Sequence, residues 1–260
     1  MPDQKQATYG FLGTGEITAA IVTGLCSGLA DPPRIVLSPR GRAASRALAA
    51  RFPTVDVAAG NQEVLDRAPT VVLAVRPPVT REVLSGLSFR PDHVLVSAVA
   101  GVQLDRLREW AAPAGGLVRA IPLPQAASAR SRTVVFPDHP AARALFDRVG
   151  GVLVPGEEKA FDAFSAVTAT FAAHLDYLAT IAGWLAAQGV DRRTATGYTT
   201  HIFGRLGESL SQHSDSLDTL IRSHATPGGN NEQFRADLRR DGVPAAVRRA
   251  LDHILDRLRG

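Results

Sequence analysis

Short apolar runs alternate with helical segments over roughly the first 140 residues of the chain. Each of the first four runs is followed by a stretch with helical periodicity, and the run TVVLAV shows no polar alternation. Such runs are typical of strands buried on both faces of a parallel sheet. Because parallel neighbours need a crossover, the pattern predicts right-handed βαβ units and a largely parallel sheet. The predicted strands lie within 8–12, 34–38, 70–75, 93–99, 115–124 and 131–137.

The pattern changes near residue 150, after which the sequence predicts helices alone. Residues 160–189 form a long helical stretch that is apolar on most sides. Such a helix must be buried on most sides, and a domain of about 105 residues can hardly enclose it alone. We therefore predict an N-terminal α/β domain, residues 1–155, and a helical domain, residues 156–260, that forms a homodimer or a higher oligomer and contributes to the substrate site.

The segment GFLGTGEITAAI, residues 10–21, predicts a dinucleotide-binding turn between the first strand and the first helix. Gly13 would allow the tight turn, and Gly15 would let a pyrophosphate approach the helix N-terminus. The third position of the G-x-G-x-x-G pattern is Thr18, which departs from it. The turn makes the first domain a predicted Rossmann domain, with cofactor-binding residues Gly13, Thr14, Gly15, Glu16 and Ile17.

The end of the second strand indicates which dinucleotide is bound. Sites that prefer NAD place an acidic side chain there for the ribose 2′-hydroxyl, whereas this strand ends in VLSPRGR. Ser38, Arg40 and Arg42 would instead suit a 2′-phosphate. The sequence therefore favours NADPH over NADH, although both arginines could also simply face solvent.

Composition excludes several other classes of function. The formal charge is +4, but the arginines are interleaved with acidic residues, which is typical of solvated helix faces rather than a nucleic-acid site. A single cysteine, Cys26, excludes a multi-cysteine metal site, and we predict no bound metal. Without a signal peptide or an apolar run of ~18 residues, we predict a cytoplasmic protein that does not bind membranes.

Five motifs in order along the chain are similar to those of one enzyme family. They are GTGEIT (13–18), AVRP (74–77), SAVAGV (97–102), RAIPLP (119–124) and TPGGNN (226–231). In this order and at this spacing the chain resembles the pyrroline-5-carboxylate reductases over nearly its whole length. That family carries the corresponding GxGxMA-like, AVKP, SxxAG, RxMPNTP and SPGGTT segments.

The resemblance implies hydride transfer from NAD(P)H to the C=N carbon of a cyclic imine, as in the conversion of 1-pyrroline-5-carboxylate to proline in proline biosynthesis. It also implies long helices that intertwine with those of a second subunit. By position, the adenosine and ribose of the cofactor would contact Ala74, Val75, Arg76 and Pro77, and the nicotinamide would lie near Ala100, Gly101 and Pro122. The substrate carboxylate would be bound by Thr226, Gly228, Gly229, Asn230 and Asn231.

Three departures from the family pattern concern the substrate. Leu123 stands where the family has an asparagine, residues 167–174 (VTATFAAH) replace a glycine-rich segment, and Asn231 replaces the last threonine of SPGGTT. An asparagine amide can orient an imine but is too weak an acid to protonate it. The candidate catalytic residues are therefore Asn231, Thr226 and His174, the last as a proton donor.

Three functions remain open at this point. The chain could be a pyrroline-5-carboxylate reductase, a reductase of a different cyclic imine in secondary metabolism, or a non-catalytic NADP-binding paralogue.

Overall fold

The computed structural model describes residues 7–212 and 215–260. Its contacts divide the chain into two compact units. One extends to Ser165 and includes Arg257–Gly260, and the other is Ala166–Asp256. The predicted boundary between residues 155 and 156 remains a prediction.

The first unit is built on one sheet of eight strands. The strands β1 to β8 are Thr8–Leu12, Arg34–Leu37, Val55–Val57, Thr70–Leu73, Val94–Ser97, Gly116–Ile121, Thr133–Phe136 and Val152–Leu153. Their order is β3-β2-β1-β4-β5-β6-β7-β8, and β1 to β6 are parallel to one another. The predicted Rossmann architecture is confirmed, and the direction of the strand order reverses between β1 and β4.

Helices connect the parallel strands on both faces of the sheet. They are α1 (Glu16–Cys26), α2 (Arg42–Arg51), α3 (Asn61–Arg67), α4 (Thr80–Ser85) and α5 (Leu104–Trp110), and α6 (Pro140–Phe146) follows β7. Within β1, Phe11 belongs to one buried apolar cluster and Leu12 to the other. Because neighbouring side chains of a strand face opposite ways, both faces of the sheet are covered, which explains the continuous apolar runs.

The edges of the sheet differ from the prediction. The sequence did not indicate β3, whose three residues include a single buried side chain, Val55, or the two-residue β8. β7 was predicted as a strand but runs antiparallel to β6. The chain between them, which includes the 3-10 helix Pro124–Ser128, contains no crossover α-helix, and antiparallel neighbours need none.

The 3-10 helix packs directly against α1. A Cβ atom at Gly24 would lie 2.0 Å from the carbonyl oxygen of Ala126, so any side chain at position 24 would separate the two segments. Glycine at this position therefore holds the segment after β6 against α1.

The second unit is helical. The helices that follow β8, α7 to α12, are Glu158–Thr168, Thr170–Ala187, Arg192–Gln212, Leu217–His224, Asn230–Arg240 and Val243–Arg259. Most of α7 and the last turn of α12 belong to the first unit. The apolar stretch predicted over 160–189 is divided, because α7 ends at Thr168 and α8 begins at Thr170. None of the helices among the described residues is long and apolar enough to span a membrane.

The second unit encloses almost no apolar core by itself. Among its described residues, the apolar side chains that are buried are Ala166 and Ala195. In contrast, Leu175 is 66% exposed and Trp184 is 64% exposed. The large apolar side chains of α8 and α9 thus lie on the surface of the single chain.

A buried arginine connects three distant segments of the first unit. Arg119 on β6 is 1% exposed. Its guanidinium group donates hydrogen bonds to Glu158 Oε1 (2.9 Å), Asp162 Oδ1 (2.8 Å) and Gln103 Oε1 (2.8 Å), and it lies 4.4 Å from the centre of the Phe161 ring. We call these five residues the Arg119 cluster.

The Arg119 cluster extends to the backbone of its surroundings. Glu158 Oε1 also accepts from the backbone N–H of Leu104 at 3.0 Å, and Gln103 Nε2 donates to the carbonyl oxygen of Leu258 at 3.0 Å. These hydrogen bonds therefore hold three segments near β6: the turn before α5, the first turns of α7 and the last turn of α12.

We expect loss of a carboxylate from the Arg119 cluster to destabilise the protein strongly. Asp162 is 4% exposed, and Asp162→Ala would leave the buried guanidinium undercompensated, which costs about 3 to 5 kcal/mol. Urea denaturation at fixed protein concentration measures this change. As a control, Asp92→Ala removes an exposed ion pair with Arg90 and should hardly move the midpoint. Equal midpoints for the two variants would contradict the assignment.

Candidate functional site

A cleft of about 210 Å³ lies beside the carboxyl ends of β1, β2 and β4. In parallel α/β sheets, ligands bind at such an edge, where the strand order reverses. Seven of the predicted cofactor-binding residues come together there with two residues that were not predicted, Gly41 and Val79. The lining comprises Gly13, Thr14, Gly15, Arg40, Gly41, Ala74, Val75, Arg76 and Val79.

The turn after β1 can be formed only with glycine at position 13. Gly13 has a φ of +94°, and a Cβ atom there would lie 2.4 Å from the carbonyl oxygen of Ala74. Two hydroxyl groups hold the turn in place. The N–H of Gly13 donates to Ser38 Oγ at 2.9 Å, and Thr18 Oγ1 donates to the carbonyl oxygen of Gly13 at 2.7 Å.

These contacts give Ser38 and Thr18 structural roles that the sequence did not indicate. Both side chains are fully buried. Thr18, the departure from the third glycine position, ties the first turn of α1 to the turn before it. Ser38, predicted as a cofactor-binding residue, uses its hydroxyl group to accept from Gly13.

The N-terminus of α1 is open beside this turn. Gly15 is the N-cap residue, and no side chain caps the helix. No other atom lies within 4 Å of the position that a Cβ atom of Gly15 would take. The unpaired backbone N–H groups and the positive end of the helix dipole favour a bound anion here. Glu16 and Ile17 form the first turn of the helix.

The start of α2 approaches the same turn closely. Gly41 has a φ of +87°, and its Cβ atom would lie 2.8 Å from the carbonyl oxygen of Thr14. Arg40 lines the cleft with its side chain exposed. Arg42, the first residue of α2, is also exposed but is not part of the lining. Gly41 is not among the predicted site residues, although a glycine directly before a helix is a signal for such a close approach.

The residues expected near the nicotinamide lie outside the cleft. Ala100 and Gly101 form an exposed turn after β5, in which Gly101 has a φ of +73°. Pro122 is buried directly after β6. Leu123 follows it and donates its backbone N–H to Ser131 Oγ at 3.3 Å. Pro77 begins a short 3-10 helix after β4.

In the second unit, residues 226–231 comprise the turn between α10 and α11 and the first two residues of α11. Gly228 has a φ of +72°, and the N–H of Gly229 donates to the carbonyl oxygen of Thr226 at 2.9 Å. Asn231 is in the first turn of α11, where its Nδ2 donates to the carbonyl oxygen of His224 at 2.9 Å. One amide hydrogen of Asn231 is thus used to join the two helices. Asn230 is the first residue of α11.

His174 lies in an aromatic cluster on α8 and α9. Its ring stacks on Tyr177 at 6.4 Å between centroids and meets Phe203 edge to face at 6.3 Å. Within the described part of the chain, the ring contacts of His174 are to these two residues and not to residues 226–231. As for metals, a search of the described residues finds no group of three His, Cys, Asp or Glu side chains that could hold an ion.

Two family models match the chain. The model described as "NADP oxidoreductase coenzyme F420-dependent" matches residues 8–101, and "Pyrroline-5-carboxylate reductase dimerisation" matches residues 158–260. Among curated relatives, the pyrroline-5-carboxylate reductase of Synechocystis sp. is 31% identical, and the match covers 92% of both chains.

Solved structures show the same fold. The structure of a pyrroline-5-carboxylate reductase from Coxiella burnetii has a TM-score of 0.83 at 21% identity and covers 98% of both chains. That of the Plasmodium falciparum pyrroline carboxylate reductase with NADP bound has a TM-score of 0.79 at 15% identity, covering 99% of this chain and 98% of that one. From the fold, the motifs and these relatives, the chain belongs to the pyrroline-5-carboxylate reductase family and is an NAD(P)H-dependent oxidoreductase of the CH–NH class.

Proposed function

We propose that the protein reduces the C=N bond of a cyclic imine with NADPH. The observation that carries this proposal is the cleft at the reversal of the strand order, where the open N-terminus of α1 and the exposed Arg40 stand side by side. The first suits a pyrophosphate and the second a 2′-phosphate. The NADP bound in the Plasmodium falciparum structure supports the same cofactor for this chain.

Each part of the cofactor has candidate contacts. Residues 13–17 would bind the pyrophosphate, and residues 74–77 would line the path from adenosine to ribose. Ser38 would contribute by holding the glycine turn, as its hydrogen bond to Gly13 indicates. Residues 100, 101 and 122 would border the nicotinamide, which supplies the hydride when it is bound.

The protein then has to position the imine and allow its nitrogen to carry a proton. We assign the imine to the turn at residues 226–231, which includes Thr226, Gly228, Gly229, Asn230 and Asn231. Asn231 keeps a second amide hydrogen and its carbonyl oxygen after bonding to His224, so it can orient the ring. The proton would come from water or from the imidazolium form of His174.

The first substrate to test is 1-pyrroline-5-carboxylate, after which the curated relatives are named. A different cyclic imine is the second candidate. Two observations favour it: the amide at position 231 replaces the hydroxyl of the family motif, and Leu123 replaces its asparagine.

We also propose that the active form is a homodimer. The match to the family's dimerisation domain covers residues 158–260, and the exposed apolar side chains of α8 and α9 need a partner surface. The side chains concerned are Phe171, Leu175, Trp184, Ile202, Leu206 and Leu210.

We expect the protein to oxidise NADPH when a cyclic imine is supplied, and Gly13→Ala to abolish this activity. The added methyl group would collide with Ala74 and close the turn to the pyrophosphate. Gly60→Ala is a matched control, because Gly60 also precedes a helix but has open space around it and a φ of −157°. NADPH absorbance follows turnover. Tight NADPH binding without turnover of any imine would instead support a non-catalytic protein.

Replacing both Arg40 and Arg42 with serine should raise the Kd for NADPH about tenfold or more, since each charge-assisted hydrogen bond contributes about 1.5 to 3 kcal/mol. The Kd for NADH should hardly change. Fluorescence titration measures both constants, and Arg46→Ser on the same helix is the control. Equal losses for the two cofactors would refute the assignment.

Light scattering should find at least a dimer at micromolar concentration. The double variant Leu175→Glu, Trp184→Glu should lower the measured mass, because charges would be buried in the subunit interface. Ala47→Glu, on an exposed position of α2, should leave the mass unchanged. A monomeric wild-type protein would overturn the proposal.

A further inference from the structure

A carboxylate of the chain itself already binds the turn that we assign to the substrate. Glu232 lies in the first turn of α11. Its Oε2 accepts a hydrogen bond from the backbone N–H of Gly228 at 2.7 Å. The N–H of Gly229 is also used within the turn, by the carbonyl oxygen of Thr226. Both glycine N–H groups of the turn therefore have acceptors from the chain.

Glu232 forms no ion pair with a basic side chain in the part of the chain that the structure describes. The side chain is exposed in the single chain. A second carboxylate that approached Gly228 would thus meet a like charge that has no ion-pair partner among the described residues.

The same contact occurs at another helix of the protein. Before α3, the N–H of Ala59 donates to Glu63 Oε2 at 2.7 Å, and Gly60 is the N-cap residue. In both places the glutamate caps the start of its helix. What distinguishes Glu232 is its position in the turn that the proposed function assigns to the substrate.

We propose that Glu232 determines specificity by occupying the place of a substrate carboxylate, so that the enzyme selects cyclic imines without one. This inference rests on the proposed function. A carboxylate that shared the turn with Glu232 would lie about 4 Å away, where repulsion weakens binding by between about fivefold and a thousandfold, depending on solvent exposure.

Glu232 would attract a positively charged ligand. A cyclic imine that is protonated on nitrogen is a cation, and the nearby carboxylate favours this form. In the reaction, hydride from NADPH forms a bond to the imine carbon, and the π electron pair of C=N moves to the nitrogen that holds the proton. The products are a cyclic secondary amine and NADP⁺.

The test compares 1-pyrroline with 1-pyrroline-5-carboxylate, two imines that differ only in the carboxylate. For the wild-type enzyme, kcat/KM should be at least about tenfold higher for 1-pyrroline. Glu232→Gln keeps an acceptor for Gly228 but removes the charge, so it should lower this ratio at least about tenfold. The change should appear in the KM for the carboxylate substrate. A wild-type preference for 1-pyrroline-5-carboxylate, or an unchanged ratio in the variant, would overturn the inference.

Glu63→Gln is the control, because it alters the matching cap on α3 and should leave the ratio as it is. Binding of proline to the NADP⁺ complex, measured by calorimetry, separates the inference from the proposed function. If neither imine is reduced, the proposed function fails. Proline binding at least about tenfold tighter in Glu232→Gln than in wild type would still support the role of Glu232, and equal affinities would refute it.

Discussion

The assembly of the first unit of this protein depends on one buried guanidinium group, that of Arg119. Removing Arg119 from water is costly unless its charge is paired, and its hydrogen-bond partners come from separate segments of the chain. Gln103 precedes α5, whereas Glu158 and Asp162 lie on α7. Sheet, turn and helix must therefore assemble together, and the turn expected to border the nicotinamide is held by the same contacts.

The candidate cofactor cleft depends on close approaches between backbones. At Gly13 and Gly41 the chain passes so near to a carbonyl oxygen that a side chain would not fit. These turns place α1 and α2 beside the ends of β1 and β2. The buried hydroxyl groups of Ser38 and Thr18 then hold the turn at Gly13 in place. The site is shaped by main-chain contacts, and its few exposed side chains, Arg40 among them, are the ones that we propose for cofactor selectivity.

Features set by local sequence could be predicted, and those set by distant contacts could not. The glycine turn, the strands of the parallel sheet and the helical second unit follow from short-range patterns. By contrast, Ser38 has a plausible cofactor role in the sequence, but its partner is Gly13, 25 residues away. In the sequence, Arg119 is recognisable only as the first residue of the RAIPLP motif, because its acidic partners lie 39 and 43 residues away. Likewise, Glu232 resembles an ordinary first-turn acid until its contact with Gly228 is known.

The fastening of the last turn of α12 to the first unit has a consequence for biosynthesis. Leu258 accepts a hydrogen bond from Gln103, and Arg259 donates to the carbonyl oxygen of Lys159. A ribosome produces Leu258 and Arg259 after the whole helical unit. The Rossmann sheet can thus form early during translation, but its contacts around Gln103 and Lys159 are completed only when the final helix has been made. The residues that are synthesised last therefore complete the contacts of the domain that is synthesised first.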